Sequence, residues 1–218
     1  MNKRGKKGFL AGLILLAVFV LWTVLVLCVD VQPVGQQGTD VGFAALNVAF
    51  HKLTGEHMGL YELTDLLEVV PFLVCICFGA LGLVQWIRRK KLKKVDLDIR
   101  LLGVYYVLVI AVFVLFELIT INYRPVLIEG KLEGSYPSST TLLVLSVMPT
   151  LAFQVNRRAK SPGVRLLTTV FVAVFTAFMV LGRLISGVHW LSDILGGVLL
   201  GVGLYLLYRS AVATTDRA

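Results

Sequence analysis

Six apolar stretches, each near the length of a bilayer crossing, constrain this chain more than any other feature. They are residues 9–29, 69–87, 101–121, 138–155, 164–181 and 190–208. A helix needs about 20 mostly apolar residues to cross the hydrocarbon core. The chain is 57% hydrophobic with a mean hydropathy of +0.85, more apolar surface than a soluble domain of 218 residues could bury. The pattern therefore predicts an all-α polytopic membrane protein: six transmembrane helices in a single bundle, forming one domain over residues 1–218. No internal repeat and no low-complexity segment divides it. The first stretch follows a basic start but is longer than a signal-peptide core and lacks a small-residue cleavage site, so it reads as a retained span. The fourth is the least apolar, since it opens with Ser138, Ser139, Thr140 and Thr141 and contains Pro149.

Orientation follows from the basic residues, which concentrate in loops on the cytoplasmic side of membrane proteins. Of the 21 Lys and Arg residues, only Lys52, Arg124, Lys131 and Arg183 fall on one side of the six spans. The others crowd the N-terminus, the loop at residues 88–100, the loop at 157–165 and the C-terminal tail, Arg217 included. Both termini are thereby expected in the cytoplasm. This asymmetry also accounts for the net charge of +8 without a nucleic-acid partner. The outward segments are then residues 30–68, 122–137 and 182–189. Within the first, Phe43, Leu46, Phe50 and Leu53 recur at helical spacing, predicting a short amphipathic helix on the membrane surface or against the bundle. Cys28, Cys75 and Cys77 are an odd number without a CxxC pair, and read as small buried hydrophobes.

Ionisable groups at or inside spans are functional candidates, and they gather at the outer ends. Arg124 and Pro125 close the third span; an arginine can grip a phosphate with two parallel hydrogen bonds. Pro137, Ser138 and Ser139 open the fourth, where free N–H groups of a helix start suit an anion. His189 and Asp193 stand four residues apart, on one helix face, with Arg183 a short turn earlier. A carboxylate beside a histidine fixes its tautomer and stabilises the charge it develops. His51, Glu56 and His57 match no common metal-ligand spacing and read as exposed loop residues.

These three outer segments, in this order, resemble the three signature motifs of the type 2 phosphatidic acid phosphatase family, the integral-membrane lipid phosphate phosphatases. The first motif is Lys, six residues, Arg-Pro: Arg124 and Pro125 match, and Glu117 stands in place of the Lys. The second is Pro-Ser-Gly/Ser-His: Pro137, Ser138 and Ser139 match, and Thr140 replaces the His. The third is Ser-Arg, five residues, His, three residues, Asp: Arg183, His189 and Asp193 match, with Gly182 for the Ser. The resemblance implies that His189 is a nucleophile forming a phosphohistidine, oriented by Asp193. Arg124, Arg183, Ser138 and Ser139 would hold the phosphoryl oxygens, without cofactor or metal. The substrate would be a lipid phosphate or diphosphate, met at the extracytoplasmic face of the cell membrane.

The departures refine the expectation. The family's second histidine protonates the leaving group, which Thr140 cannot do at neutral pH. A leaving phosphate monoester has a pKa of about 6, against about 15.7 for water-like alkoxides, and so needs that proton less. Polyprenyl diphosphates are thus favoured over phosphatidic acid. Glu117 is expected to pair with Arg124 or Lys131, or, if buried, to be a replacement acid. The alternative is a catalytically impaired member that binds lipid phosphates as an accessory protein. A transporter is disfavoured, since no inverted repeat is visible.

Overall fold

The computed structural model describes residues 3–215; Arg217, counted above with the cytoplasmic basic residues, lies outside them. Eight α-helices follow one another: α1 (Lys3–Cys28), α2 (Ala44–Thr54), α3 (Met58–Leu67), α4 (Val69–Arg89), α5 (Leu97–Leu118), α6 (Ser139–Arg158), α7 (Pro162–Ile185) and α8 (Leu191–Thr215). Among the described residues, six helical segments are long and apolar enough to cross a membrane, with α3 and α4 continuing one another as a single segment from Met58 to Arg89. No β-strand occurs among these residues, only isolated antiparallel bridges such as Tyr123 with Gly134 and Ile128 with Lys131. The all-α, six-span architecture expected from the sequence is the one observed.

α6 and α8 form the centre. Their spans are 56% buried, against 22% or less for the other four. α8 packs against α1, α6 and α5, and α6 also packs against α7. The peripheral helices instead turn large apolar side chains outward, among them Leu13 and Leu21 of α1, Val104 and Val107 of α5, and Leu167 and Val174 of α7. This explains why the fourth stretch is the least apolar: it faces protein rather than lipid, so its polar groups need partners, not hydrocarbon. Tyr106 Oη and Thr150 Oγ1 lie 2.6 Å apart, and Gln154 Nε2 donates to Tyr208 Oη at 2.6 Å. Tyr105 Oη donates to the Ser146 carbonyl at 2.9 Å, in the turn that Pro149 loosens.

Small residues let the central helices meet closely, as membrane helix pairs require. A Cβ on Gly197 would stand 2.9 Å from the Ser138 carbonyl, and one on Gly201 would stand 2.9 Å from Leu145 Cβ. The start of α6 is thereby pressed onto the first turns of α8.

Two expectations are corrected. The second span begins at Met58, eleven residues before the apolar run, because α3 stacks end to end on α4 through Glu68. Cys28 and Cys77 are exposed on the outer surface of the bundle and Cys75 is half-buried, so they are not core residues. The amphipathic helix is present as α2, and it docks on the bundle. Its Asn47 is fully buried, donating to Ser192 Oγ at 2.9 Å and accepting from the Ser192 N–H at 3.1 Å.

Candidate functional site

Three polypeptide segments converge at one end of the bundle. The turn between α7 and α8 carries His189. Its Gly187 has φ +73°, and a Cβ there would lie 2.1 Å from the Gly55 carbonyl oxygen, so glycine is needed for both conformation and space. The segment before α3 clamps this turn: His57 N donates to the Ser186 carbonyl at 2.9 Å, and His51 Nε2 bonds to the Gly187 carbonyl at 3.0 Å. His51, expected to be exposed, is thus half-buried, with its ring 5.7 Å from that of Trp190.

Asp193 is fully buried at the start of α8. Its Oδ2 accepts from the Trp190 N–H at 3.0 Å, closing the helix start as an acidic residue at this position does. The same oxygen faces His189 Nδ1 at 3.9 Å, beyond hydrogen-bond distance. Its Oδ1 accepts from Asn122 Nδ2 at 3.2 Å and from Ser192 Oγ at 3.4 Å. His189 is buried, and both ring nitrogens lack hydrogen-bond partners. Burial first, then the charge of Arg124, push its pKa down to about 4; Asp193 opposes this and Arg183 adds to it. The imidazole is therefore neutral at pH 7, with Nε2 turned away from the Asp193 side.

Arg183 ends α7 and is 1% exposed. Its Nη2 donates to Asp65 Oδ1 at 2.8 Å and Glu68 Oε2 at 3.4 Å, while Nε and Nη1 are buried without partners. Arg124 lies in the loop after α5, where its Nε meets Glu133 Oε2 at 3.3 Å and its Nη1 is buried and unpartnered. Both guanidinium groups lie over the Tyr61 ring, at 5.5 Å for Arg124 and 4.8 Å for Arg183. The loop of Arg124 is stitched to α8 by Trp190 Nε1, which donates to the Tyr123 carbonyl at 2.8 Å.

The structure thus brings Arg124, Arg183, His189 and Asp193 to one place, with Ser138 beside them. Ser138 is fully buried; its N–H donates to the Asp193 carbonyl at 3.0 Å, and its Oγ caps α6 by accepting from Thr141 N at 3.4 Å. The Ser138 hydroxyl proton remains free to donate elsewhere. Ser139 is half-buried in the same turn. Thr140 is buried and donates to Glu68 Oε2 at 2.7 Å.

Glu117 does not behave as expected. It is exposed, and Arg124 takes Glu133 as its ion-pair partner instead, while Lys131 is also exposed. The burial required of a replacement acid is absent. The loop folds back so that Arg124 N meets the Glu133 carbonyl at 3.0 Å, bringing that carboxylate closer than one on the preceding helix. Tyr61, Asp65, Glu68 and Asn122 were not singled out from the sequence. The first three stand at helical spacing on one face leading into an apolar run, and that spacing was the available signal.

The model of the PAP2 superfamily matches residues 117–217, which include all three motif segments. These residues belong to the PAP2 superfamily. The resemblance drawn from the motifs is borne out. Among solved structures, the chain is similar to the "Crystal structure of the first transmembrane PAP2 type phosphatidylglycerolphosphate phosphatase from Bacillus subtilis". The TM-score is 0.61 and the identity 16%, with 94% of this chain and 98% of that chain covered. At that identity the likeness shows a shared fold, and it covers nearly the whole chain, including the helices before residue 117 that the family model does not reach. A comparison with curated proteins gives no match.

Proposed function

We propose that this PAP2 protein is a membrane phosphatase that hydrolyses lipid phosphates, polyprenyl diphosphates foremost, through a phosphohistidine at His189. The observation that carries the reading is the set of buried N–H groups without partners on Arg124 and Arg183 beside a neutral imidazole. Such donors strongly favour an anion with several acceptor oxygens. Phosphoryl transfer asks of a protein mainly positioning and positive charge at the equatorial oxygens, which the two arginines supply. His189 Nε2 attacks phosphorus. Asp193 faces Nδ1 and steadies the cation that forms, and Ser138 and Ser139 add donors from the start of α6. Water then cleaves the N–P bond.

The diphosphate preference rests on leaving-group chemistry, since a departing phosphate needs less protonation than an alkoxide. The distribution of basic residues supports cytoplasmic termini and a site on the extracytoplasmic side of the cell membrane. The test is phosphate release in detergent from a polyprenyl diphosphate and from phosphatidic acid, with trapping of a labelled phosphoenzyme. Faster release from the diphosphate is expected, and a covalent label that His189→Ala abolishes. Absence of any label or turnover would leave the accessory-protein reading in its place.

A further inference from the structure

We propose that Glu68 is the proton source for the leaving group, acting through the hydroxyl of Thr140. This rests on the phosphatase reading above and supplies a step that Thr140 cannot perform alone.

Glu68 sits at the junction of α3 and α4, within the segment counted as the second span. Its side chain is 16% exposed. An ionisable group placed there is expensive unless it is used. One oxygen, Oε2, meets both Thr140 Oγ1 at 2.7 Å and Arg183 Nη2 at 3.4 Å. One carboxyl oxygen therefore meets both a hydroxyl at the start of α6 and a guanidinium proposed to hold the phosphoryl group. The groups facing Glu68 come from every helix around it. They are Asp65 on α3, Thr140 on α6, Arg183 on α7 and, through space, Glu117 on α5.

All three departures from the family motifs surround this junction. Thr140 is bonded to Glu68, and Glu117 acts on it electrostatically. Gly182 admits α3 itself, since a Cβ there would stand 2.7 Å from Thr64 Cγ2. Glycine in place of serine lets α3 lie against α7, and that packing sets Asp65 and Glu68 beside Arg183.

The proton balance closes over the two steps. As His189 Nε2 bonds to phosphorus and the bond to the leaving oxygen breaks, that oxygen takes the hydroxyl proton of Thr140. For this the Thr140–Glu68 bond reverses from the direction it has at rest: the carboxyl, protonated, donates to Thr140 Oγ1, and Thr140 takes that proton as its own goes to the leaving oxygen. When water attacks the phosphohistidine, its proton returns through Thr140 to Glu68. A protonated Glu68 also presents one negative charge fewer to the arriving phosphate.

The decisive experiment compares Glu68→Gln with wild type on phosphatidic acid and on a polyprenyl diphosphate across pH. Glutamine keeps the size and an acceptor for Thr140 and Arg183 but has no transferable proton. The expected result is a fall in kcat of roughly 10²-fold or more on the monoester, within the range of general acid catalysis. On the diphosphate the fall should stay under about 10-fold. Wild type is expected to lose monoester activity at rising pH, and that alkaline limb should disappear in Glu68→Gln. Thr140→Val should show the same selectivity, with Thr140→Ser restoring at least about 10-fold of the lost monoester rate. Equal losses on the two substrates in Glu68→Gln, or an alkaline limb that persists, would overturn the relay and leave Glu68 a prop for Arg183. Wild-type protein without phosphoenzyme or turnover would instead bring down the phosphatase reading itself, so the two failures are distinguishable.

Discussion

The guanidinium of Arg183 lies 4.8 Å from the centre of the Tyr61 ring, and that ring also carries Arg124 at 5.5 Å. One aromatic side chain on α3 thus holds two cations together that would otherwise repel. Cation–π contacts of this kind contribute about 0.5 to 2 kcal/mol each, more as water is excluded. Tyr61→Ala is expected to weaken inhibition by phosphate or vanadate about 10-fold, with Tyr61→Phe within about 2-fold of wild type. Inhibition constants measured in detergent check this; an unaffected Ala variant would show that the arginines hold their places unaided.

Burial and, after it, the charge of Arg124 keep His189 neutral. Removing the cation removes repulsion against the imidazolium, so Arg124→Gln should raise the His189 pKa from about 4 toward the ordinary 6.5. Because the folded pKa lies below the unfolded one, His189 favours the unfolded chain as pH drops from 6.5 toward 4, and the native protein loses stability across that window. A histidine NMR titration, assigned through the signal lost in His189→Ala, measures the shift. A value left near 4 in Arg124→Gln would assign the depression to burial alone.

Glu117 is exposed at the end of α5, so Glu117→Gln should change turnover by less than about 2-fold. A loss beyond about 10-fold on the monoester would return it to the list of proton donors in place of Glu68.

The turn that presents His189 depends on Gly187, whose φ of +73° and 2.1 Å clearance to the Gly55 carbonyl oxygen exclude a side chain. Gly187→Ala should cost about 1 to 3 kcal/mol from backbone strain, before any clash is counted. It should also push His51 away from the Gly187 carbonyl. A lowered thermal midpoint with turnover lost is expected; an unchanged midpoint would mean the turn can move without harm.

Span lengths and the segregation of basic residues made the six crossings legible, because the bilayer imposes them on composition directly. The residues of the third motif were legible as well, since spacing along one helix face fixes proximity. The partners that cross between helices were not. Tyr61, Asp65 and Glu68 read as the tail of a loop because polar side chains interrupt the apolar pattern there, although the helix continues beneath it. Their pairing with Arg183 is a consequence of Gly182, whose meaning appears only when α3 is seen lying against α7. Glu117 was misjudged for a related reason. Sequence distance placed it two turns from Arg124, whereas the loop doubles back and delivers Glu133.

Asn122 offers a test of how Asp193 acts. Its amide donates to Asp193 Oδ1 at 3.2 Å, while Oδ2 takes the Trp190 N–H and faces His189. Both residues are buried, so the carboxylate cannot exchange a lost partner for bulk water. In Asn122→Ala, Oδ1 keeps only the longer bond from Ser192, and the carboxylate gains freedom to swing off the imidazole. An orienting role predicts a fall in kcat of about 10-fold with little change in KM, because the phosphate-holding arginines are untouched. Asn122→Asp should be more damaging, since two buried carboxylates at that separation repel and one must take up a proton. Steady-state kinetics of the two variants decide the matter: a raised KM with kcat preserved would mean that Asn122 reports on substrate binding, and Asp193 would then be a helix cap whose nearness to His189 carries no catalytic weight.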